Sequence, residues 1–290
     1  MNDFNNKISN LFNDTENGNI NYSDLQDVLN KILEGQEAKE NVYLFLDLLH
    51  LSSISKLIVE NNGSDYWSLK IAYLIEKYNF HVGELLWQRV STYKEKPLFI
   101  SIDGEHKKTI TYNKFWNDLI LVFKALVSLS DSDTKVIGVL SFNQYNSVLI
   151  DVCCLAFGIR VIPIPLNSTS DHLSYIIEEA EITHLFIGGE KSAQLWNEVH
   201  KNHMIEVVDI NDIGSIKGKT IFWEEFQDLG EKNNTDNHDL VLPRQDMSWT
   251  STIMYTSGST SNPKGVKSVS YTHLRAHETD SYLVCRLLLE

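Results

Sequence analysis

Between residues 136 and 209 short apolar runs alternate with helical stretches, and no other feature restricts the fold as strongly. Val136-Ile-Gly-Val-Leu140 precedes a helical stretch over 146–157. Arg160-Val-Ile-Pro-Ile164 precedes one over 172–180, and His184-Leu-Phe-Ile187 precedes one over 191–199. Glu206-Val-Val-Asp209 is the next run. Apolar runs without polar alternation belong to strands buried on both faces, and strands joined through helices lie parallel. The chain therefore reads as α/β, with a mostly parallel sheet layered with helices. Gly158 stands where a helix C-cap needs a left-handed residue.

The same texture extends outward. An amphipathic helix is expected over 82–93, a strand over Pro97–Asp103 with a turn at Asp103-Gly104, and a short strand or helix start at 110–112. A helix over 113–129 follows. Trp223-Glu-Glu-Phe226 reads as a helix start, residues 229–245 as a polar loop, and 251–255 as a further strand. Residues 1–78 read as a polar-rich helical extension. Leu25, Val28, Leu29, Ile32 and Leu33 recur at helical spacing after Ser23, the expected N-cap. Residues 42–57 and 67–78 give two more helices, with a turn at 61–64.

Composition excludes some classes. A net charge of −14 argues against a general nucleic-acid binder, which neutralises phosphates with Lys and Arg. No apolar run approaches the roughly 18–20 residues of a transmembrane helix. The start lacks a signal-peptide pattern. Only three cysteines occur, two of them adjacent at 153 and 154, so a disulfide framework is not expected. A reducing cytoplasmic location follows as the expectation.

Metal signals are thin. Residues 13–24, NDTENGNINYSD, have the skeleton of an EF-hand loop, with Gly18 sixth and Ile20 eighth. Asn13 stands at the first position and Thr15 at the third. Asp24, at the twelfth, is shorter than the usual bidentate Glu. A turn with a helix cap is the simpler expectation. His200, His203 and His238 have no partners at ligand spacing and read as solvated, so no metal site is assigned.

Residues 253–266, IMYTSGSTSNPKGV, carry the chemistry. Thr256, Ser257, Ser259, Thr260 and Ser261 surround Gly258, and Pro263, Lys264 and Gly265 follow. A loop that wraps phosphate needs close backbone approach, inward N–H groups, short hydroxyl donors and a compact cation. This stretch offers all four after an apolar strand. It is not a Walker A loop, which has glycine immediately before its lysine where Pro263 stands here, and no GxGxxG fingerprint occurs. An ordinary Ser/Gly-rich surface loop is the alternative.

YTSGSTSNPKGV closely resembles the phosphate-binding signature of the adenylate-forming superfamily. That superfamily includes acyl-CoA synthetases, nonribosomal peptide adenylation domains and luciferase-type enzymes. Ser261 departs from the more usual glycine. Residues 110–115, ITYNKF, resemble the early T-Y-x-x-L element with Phe115 for Leu. Residues 154–166, CLAFGIRVIPIPL, resemble the helix–glycine–strand element ending in V-P. The resemblance covers about 80–268 and implies the incomplete N-terminal part of an adenylate-forming large domain.

The resemblance implies a ligase that activates a carboxylic acid with ATP and Mg²⁺ as acyl-adenylate and passes it to a thiol such as coenzyme A. Thr256, Ser257, Gly258, Ser259, Thr260, Ser261, Lys264 and Gly265 would then bind nucleotide phosphate. Residues 142–143, 163–168 and 171–176 look more like the long-chain acyl-CoA synthetase branch, with a fatty acid as substrate, or like carboxylic acid reductases, than like amino-acid adenylation domains. The adenylation part of a carrier-protein assembly or a reductase stays open. So does a non-catalytic nucleotide-binding remnant bearing a helical interaction module. The family's Y-G-x-T-E and T-G-D elements have no counterpart in the sequence, and neither does its C-terminal lysine domain. No catalytic residue is therefore assigned, and the chain by itself is expected to be inactive. Oligomeric state is not specified by these motifs.

Residues 269–290, VSYTHLRAHETDSYLVCRLLLE, resemble a translated sequencing adapter. Residues 269–279 back-translate to a transposase adapter and 283–289 to a flow-cell primer, with room for an index between them. Lys and Asn, abundant before Val269, are absent after it. The organisation expected is thus a helical extension over 1–78, a truncated AMP-binding domain over 79–268 and a non-native tail over 269–290.

Overall fold

In the computed structural model, residues 8, 10–11, 20–35, 37–49, 51–103, 106–129, 135–234, 249–256 and 262–269 are described, with the backbone alone at 52, 101–103 and 106. They fall into two compact units that divide between His81 and Val82.

The first unit is helical: α1 (Tyr22–Leu33), α2 (Lys39–Leu49), α3 (Ser52–Glu60) and α4 (Ser64–Tyr78). Leu25, Val28, Leu29 and Ile32 bury one face of α1, as their spacing predicts. The N-cap is Asn21 rather than Ser23. The Asn21 side-chain oxygen accepts the Asp24 N–H at 3.0 Å, so Ser23 falls inside the first turn. Asp24 accepts in return from the Asn21 amide, and the cap thereby takes up the last position of the EF-hand-like stretch. Residues 13–19 of that stretch lie outside the described residues. The single helix expected over 42–57 is two helices, α2 and α3, bent by 79° at an extended Leu51. Among the described residues no single helix is long and apolar enough to cross a membrane; α2 and α3 meet that test only as a bent pair. Val42, Phe45, Leu46, Leu48 and Leu49 of α2 are buried, while Leu44 is exposed.

The second unit contains α5 (Val82–Tyr93), a hairpin of β1 (Pro97–Asp103) and β2 (His106–Thr111), and α6 (Tyr112–Leu129). It continues with β3 (Val136–Ser141), α7 (Tyr145–Phe157), β4 (Arg160–Pro163), α8 (Ser170–Glu179), β5 (His184–Gly188) and α9 (Glu190–Val199). A 3₁₀ turn (His200–Asn202), β6 (Glu206–Asp209), β7 (Thr220–Phe222), α10 (Trp223–Lys232), β8 (Thr250–Thr256) and β9 (Lys264–Val269) complete it. Seven strands form one sheet in the order β7-β6-β5-β3-β4-β8-β9, parallel except for the β8–β9 pair.

From β3 to β6 both faces of this sheet are buried, and the strands show it at period two. Ile137 and Val139 of β3, Val161 of β4, Phe186 of β5 and Val208 of β6 pack with α6 and α7 on one face. Val136 and Leu140, Ile162, Leu185 and Ile187, and Val207 pack with α8 and α9 on the other. That arrangement explains the uninterrupted apolar runs of the sequence. Gly158 takes φ 69°, ending α7 and turning the chain into β4. The loop expected from 229 begins later, because α10 runs on to Lys232 with Gly230 packed against the α6 backbone. The short edge strand β7 has no apolar run to announce it.

Candidate functional site

Ligands of open parallel sheets bind outside the carboxyl ends of the strands, where neighbouring connections leave to opposite faces. Here α7 follows β3 on one face, while α8 and α9 follow β4 and β5 on the other. The crevice opens at the ends of β3, β4, β5 and β8.

On the β5–β6 side it is closed by side chains. Gln144, just before α7, and Asn211, just after β6, exchange two amide hydrogen bonds of 2.9 and 2.7 Å. Gln144 Nε2 also donates to Ser141 Oγ at 2.8 Å, and Asn146 donates to the Ile210 carbonyl at 2.9 Å. The fully buried Asp209 carboxylate accepts the Asn211 and Gly214 N–H groups at 3.2 and 3.0 Å.

On the β4–β8 side the ladder stops early. Ile164 N–H bonds the Val139 carbonyl at 2.9 Å, so Ile162 and Ile164 face β3. Val161, Pro163 and Pro165 alternate with them and face β8. Val161 pairs with Thr252, and the next two positions on that side are prolines, which have no N–H to donate. A cavity of about 580 Å³ lies at this point. Ser147, Val148 and Asp151 of α7 line it, with Pro163 to Leu166 after β4 and Met254 and Tyr255 of β8. Burial pushes the Asp151 carboxyl up to about 6. Tyr255 donates to the Glu179 carboxylate at the end of α8.

β8 leads from this cavity into the hydroxyl-rich loop. Thr256 is its last residue and pairs in register with Lys264, the first of β9. The Thr256 hydroxyl donates to the Lys264 carbonyl at 3.5 Å, and both residues are exposed. The hairpin thus holds a hydroxyl and an ammonium at the two feet of one loop. Gly265 pairs with Tyr255; a Cβ there would lie 2.9 Å from Ile253 Cγ2 and 3.3 Å from the Tyr255 ring, which accounts for glycine by close packing. Ser257, Gly258, Ser259, Thr260 and Ser261 lie outside the described residues.

Sequence reasoning did not single out Asp151 or the Gln144–Asn211 pair. Asp151 had a signal: it is the one charged residue in the run VLIDVCCLAF. The amide pair had none, since its partners are 67 residues apart. His200 and His203 are half-buried and engaged rather than solvated. His203 Nε2 lies 3.0 Å from Ser174 Oγ and His200 Nδ1 3.0 Å from the Asn197 carbonyl, while His238 falls outside the described residues. Among the described residues no group of three His, Cys, Asp or Glu could hold a metal ion. Cys153 and Cys154 are buried free thiols, pushed up by desolvation.

A doubly wound sheet ending in the β8–β9 hairpin defines a fold class, and comparison with known proteins identifies it. Residues 86–279 match the AMP-binding enzyme family, and the chain belongs to that family. The match extends into the stretch that resembles an adapter. The long-chain-fatty-acid–CoA ligase ACSBG2 of Xenopus laevis is 22% identical over 188 residues, 64% of this chain and 25% of its own length. Long chain acyl-CoA synthetase 4 of Arabidopsis thaliana is 27% identical over 177 residues, 57% of this chain and 26% of its own. The chain thus spans about a quarter of these curated relatives. A luciferase-like enzyme from the mealworm Zophobas morio shares the fold, with a TM-score of 0.56 at 19% identity over 70% of this chain and 45% of that one.

Proposed function

We propose that this chain is the N-terminal part of an ATP-dependent acid–thiol ligase that activates a long-chain carboxylic acid as acyl-adenylate and transfers it to coenzyme A. The observation that carries the reading is the β8–β9 hairpin, which pairs Thr256 with Lys264 across the loop 257–263. In this reading the Thr256 hydroxyl and the hydroxyls and N–H groups of 257–261 cradle the β- and γ-phosphates. The Lys264 ammonium offsets their charge. Thr256 and Lys264, both exposed, set a short hydroxyl and a cation at the rim, which fits a polyphosphate. Magnesium would enter on the nucleotide's phosphates and neutralise charge as the carboxylate approaches. The acid and coenzyme A are supported by the names of the relatives, which are long-chain ligases.

Equilibrium binding of a fluorescent ATP analogue tests the reading. The chain should bind it, and Lys264→Ala should weaken binding about tenfold, the scale of one charge-assisted contact. Gly258→Val should weaken it at least as much. Binding untouched by either substitution would refute the assignment. A pyrophosphate-release assay with a long-chain fatty acid should show no turnover by the 290-residue chain, since it has no counterpart of the Y-G-x-T-E and T-G-D elements.

A further inference from the structure

The cavity at the ends of β3, β4 and β8 is walled mostly by apolar groups. Val139, Pro163, Ile164, Pro165 and Val148 form its sides, and Phe142, Leu166 and Met254 stand about half exposed at its mouth. Its polar side chains are few, and most are already committed. The Ser147 hydroxyl serves the Phe142 and Gln144 carbonyls at 3.1 and 2.9 Å. Ser141 Oγ accepts from Gln144 and donates to the Phe142 carbonyl. The Tyr255 hydroxyl is given to Glu179.

Asp151 is the exception. It is the one carboxyl lining the cavity, it is only partly exposed, and among the described residues desolvation alone acts on it, with neither an ion pair nor a hydrogen bond. A carboxylate held in apolar surroundings without a partner is costly, and a ligand that brings a cation removes the cost. A plain alkyl chain would leave that cost in place, and an anion would raise it. Asn143 at the rim offers an amide oxygen as a second acceptor for an ammonium group. The volume of about 580 Å³ is that of a small-molecule site, with the apolar walls and few polar groups typical of one. The burial that lifts the carboxyl toward neutrality reports the same unrelieved desolvation.

We propose that this cavity binds an organic amine, a small cation with an apolar body whose ammonium group pairs with the Asp151 carboxylate. The site is built by α7, β4 and β8 and does not depend on nucleotide binding at the neighbouring hairpin.

Calorimetry at pH 7.5 with 1-octylamine and its uncharged counterpart 1-octanol tests this on the 290-residue chain. Octylamine should bind more tightly than octanol by about tenfold or more, the scale of a charge-assisted hydrogen bond. Asp151→Asn, which keeps the shape and removes the charge, should bring the two ligands to similar affinity; Asp151→Glu should keep the preference. On the unaltered chain, the Asp151 carboxyl carbon resonance should move with octylamine and stay with octanol, a readout that needs no variant to fold. The proposal is overturned if octylamine fails to bind or if octanoate binds as well. It is overturned equally if the preference for octylamine survives in Asp151→Asn, which would assign it to general attraction by a surface of net charge −14.

Discussion

On the β5–β6 side of the sheet the carboxyl ends are tied together by Gln144, Asn211, Asn146 and Asp209. On the β4–β8 side Pro163 and Pro165 end the ladder and a cavity remains. One sheet thus carries a sealed edge and an open one within a few strands. The sealed side spends its polar groups on one another; the open side leaves Asp151 unspent. Rigidity and availability are separated by which residues follow each strand.

Substitutions can break or sharpen this contrast. The largest effect is expected at Phe186 of β5, which is fully buried and meets Phe226 edge to face at 5.3 Å. Phe186→Ala should cost about 3–5 kcal/mol in urea unfolding, by lost burial and the hole left behind. Asp151 should give the next largest effect, and it depends on pH. Its folded carboxyl titrates near 6, above an ordinary 3.8, so the folded state loses stability as pH rises through that range. Asp151→Asn should therefore stabilise the chain by about 1–3 kcal/mol at pH 7.5 and lose that advantage by pH 4. Melts at both values check the sign. Gln144→Ala should cost about 1–2 kcal/mol by leaving the Asn211 side chain without its partner and taking one of the two hydrogen bonds of the Ser141 hydroxyl. A double-mutant cycle with Asn211→Ala should show coupling between them. Met254→Ala, about half exposed at the open mouth, should change stability by no more than about 0.5 kcal/mol. A large cost there would mean that the two sides are equally packed.

The sheet was legible because its strands are short, apolar and buried on both faces, so Val136 to Asp209 announced itself by composition and spacing. The helix starts were less so. Asn21 and Ser23 are both good caps, and only the reach of one oxygen to the Asp24 N–H decides between them. The break at Leu51 was hidden because apolar residues continue across it. β7 and β9 carry little apolar signal of their own. β7 is held by pairing with β6, and β9 by pairing with β8. At the site, Thr256, Lys264 and Gly265 were readable as a motif, and their mutual register follows from the hairpin. The cavity was not readable, because it is made by three elements brought together from residues 139 to 255.

The outer strand of the sheet has a further consequence. Among the described residues β9 has β8 as its only neighbour, and Lys264, Gly265, Val266 and Lys267 all stand exposed on it. A bare edge is a template for another molecule's backbone, and lysines discourage such stacking by charge and hydration. Lys264 at the foot of the 257–263 segment therefore has a companion, Lys267, and among the described residues the two are placed to discourage another strand from pairing with β9. Neutralising both would trade solubility for self-association, visible as light scattering on storage.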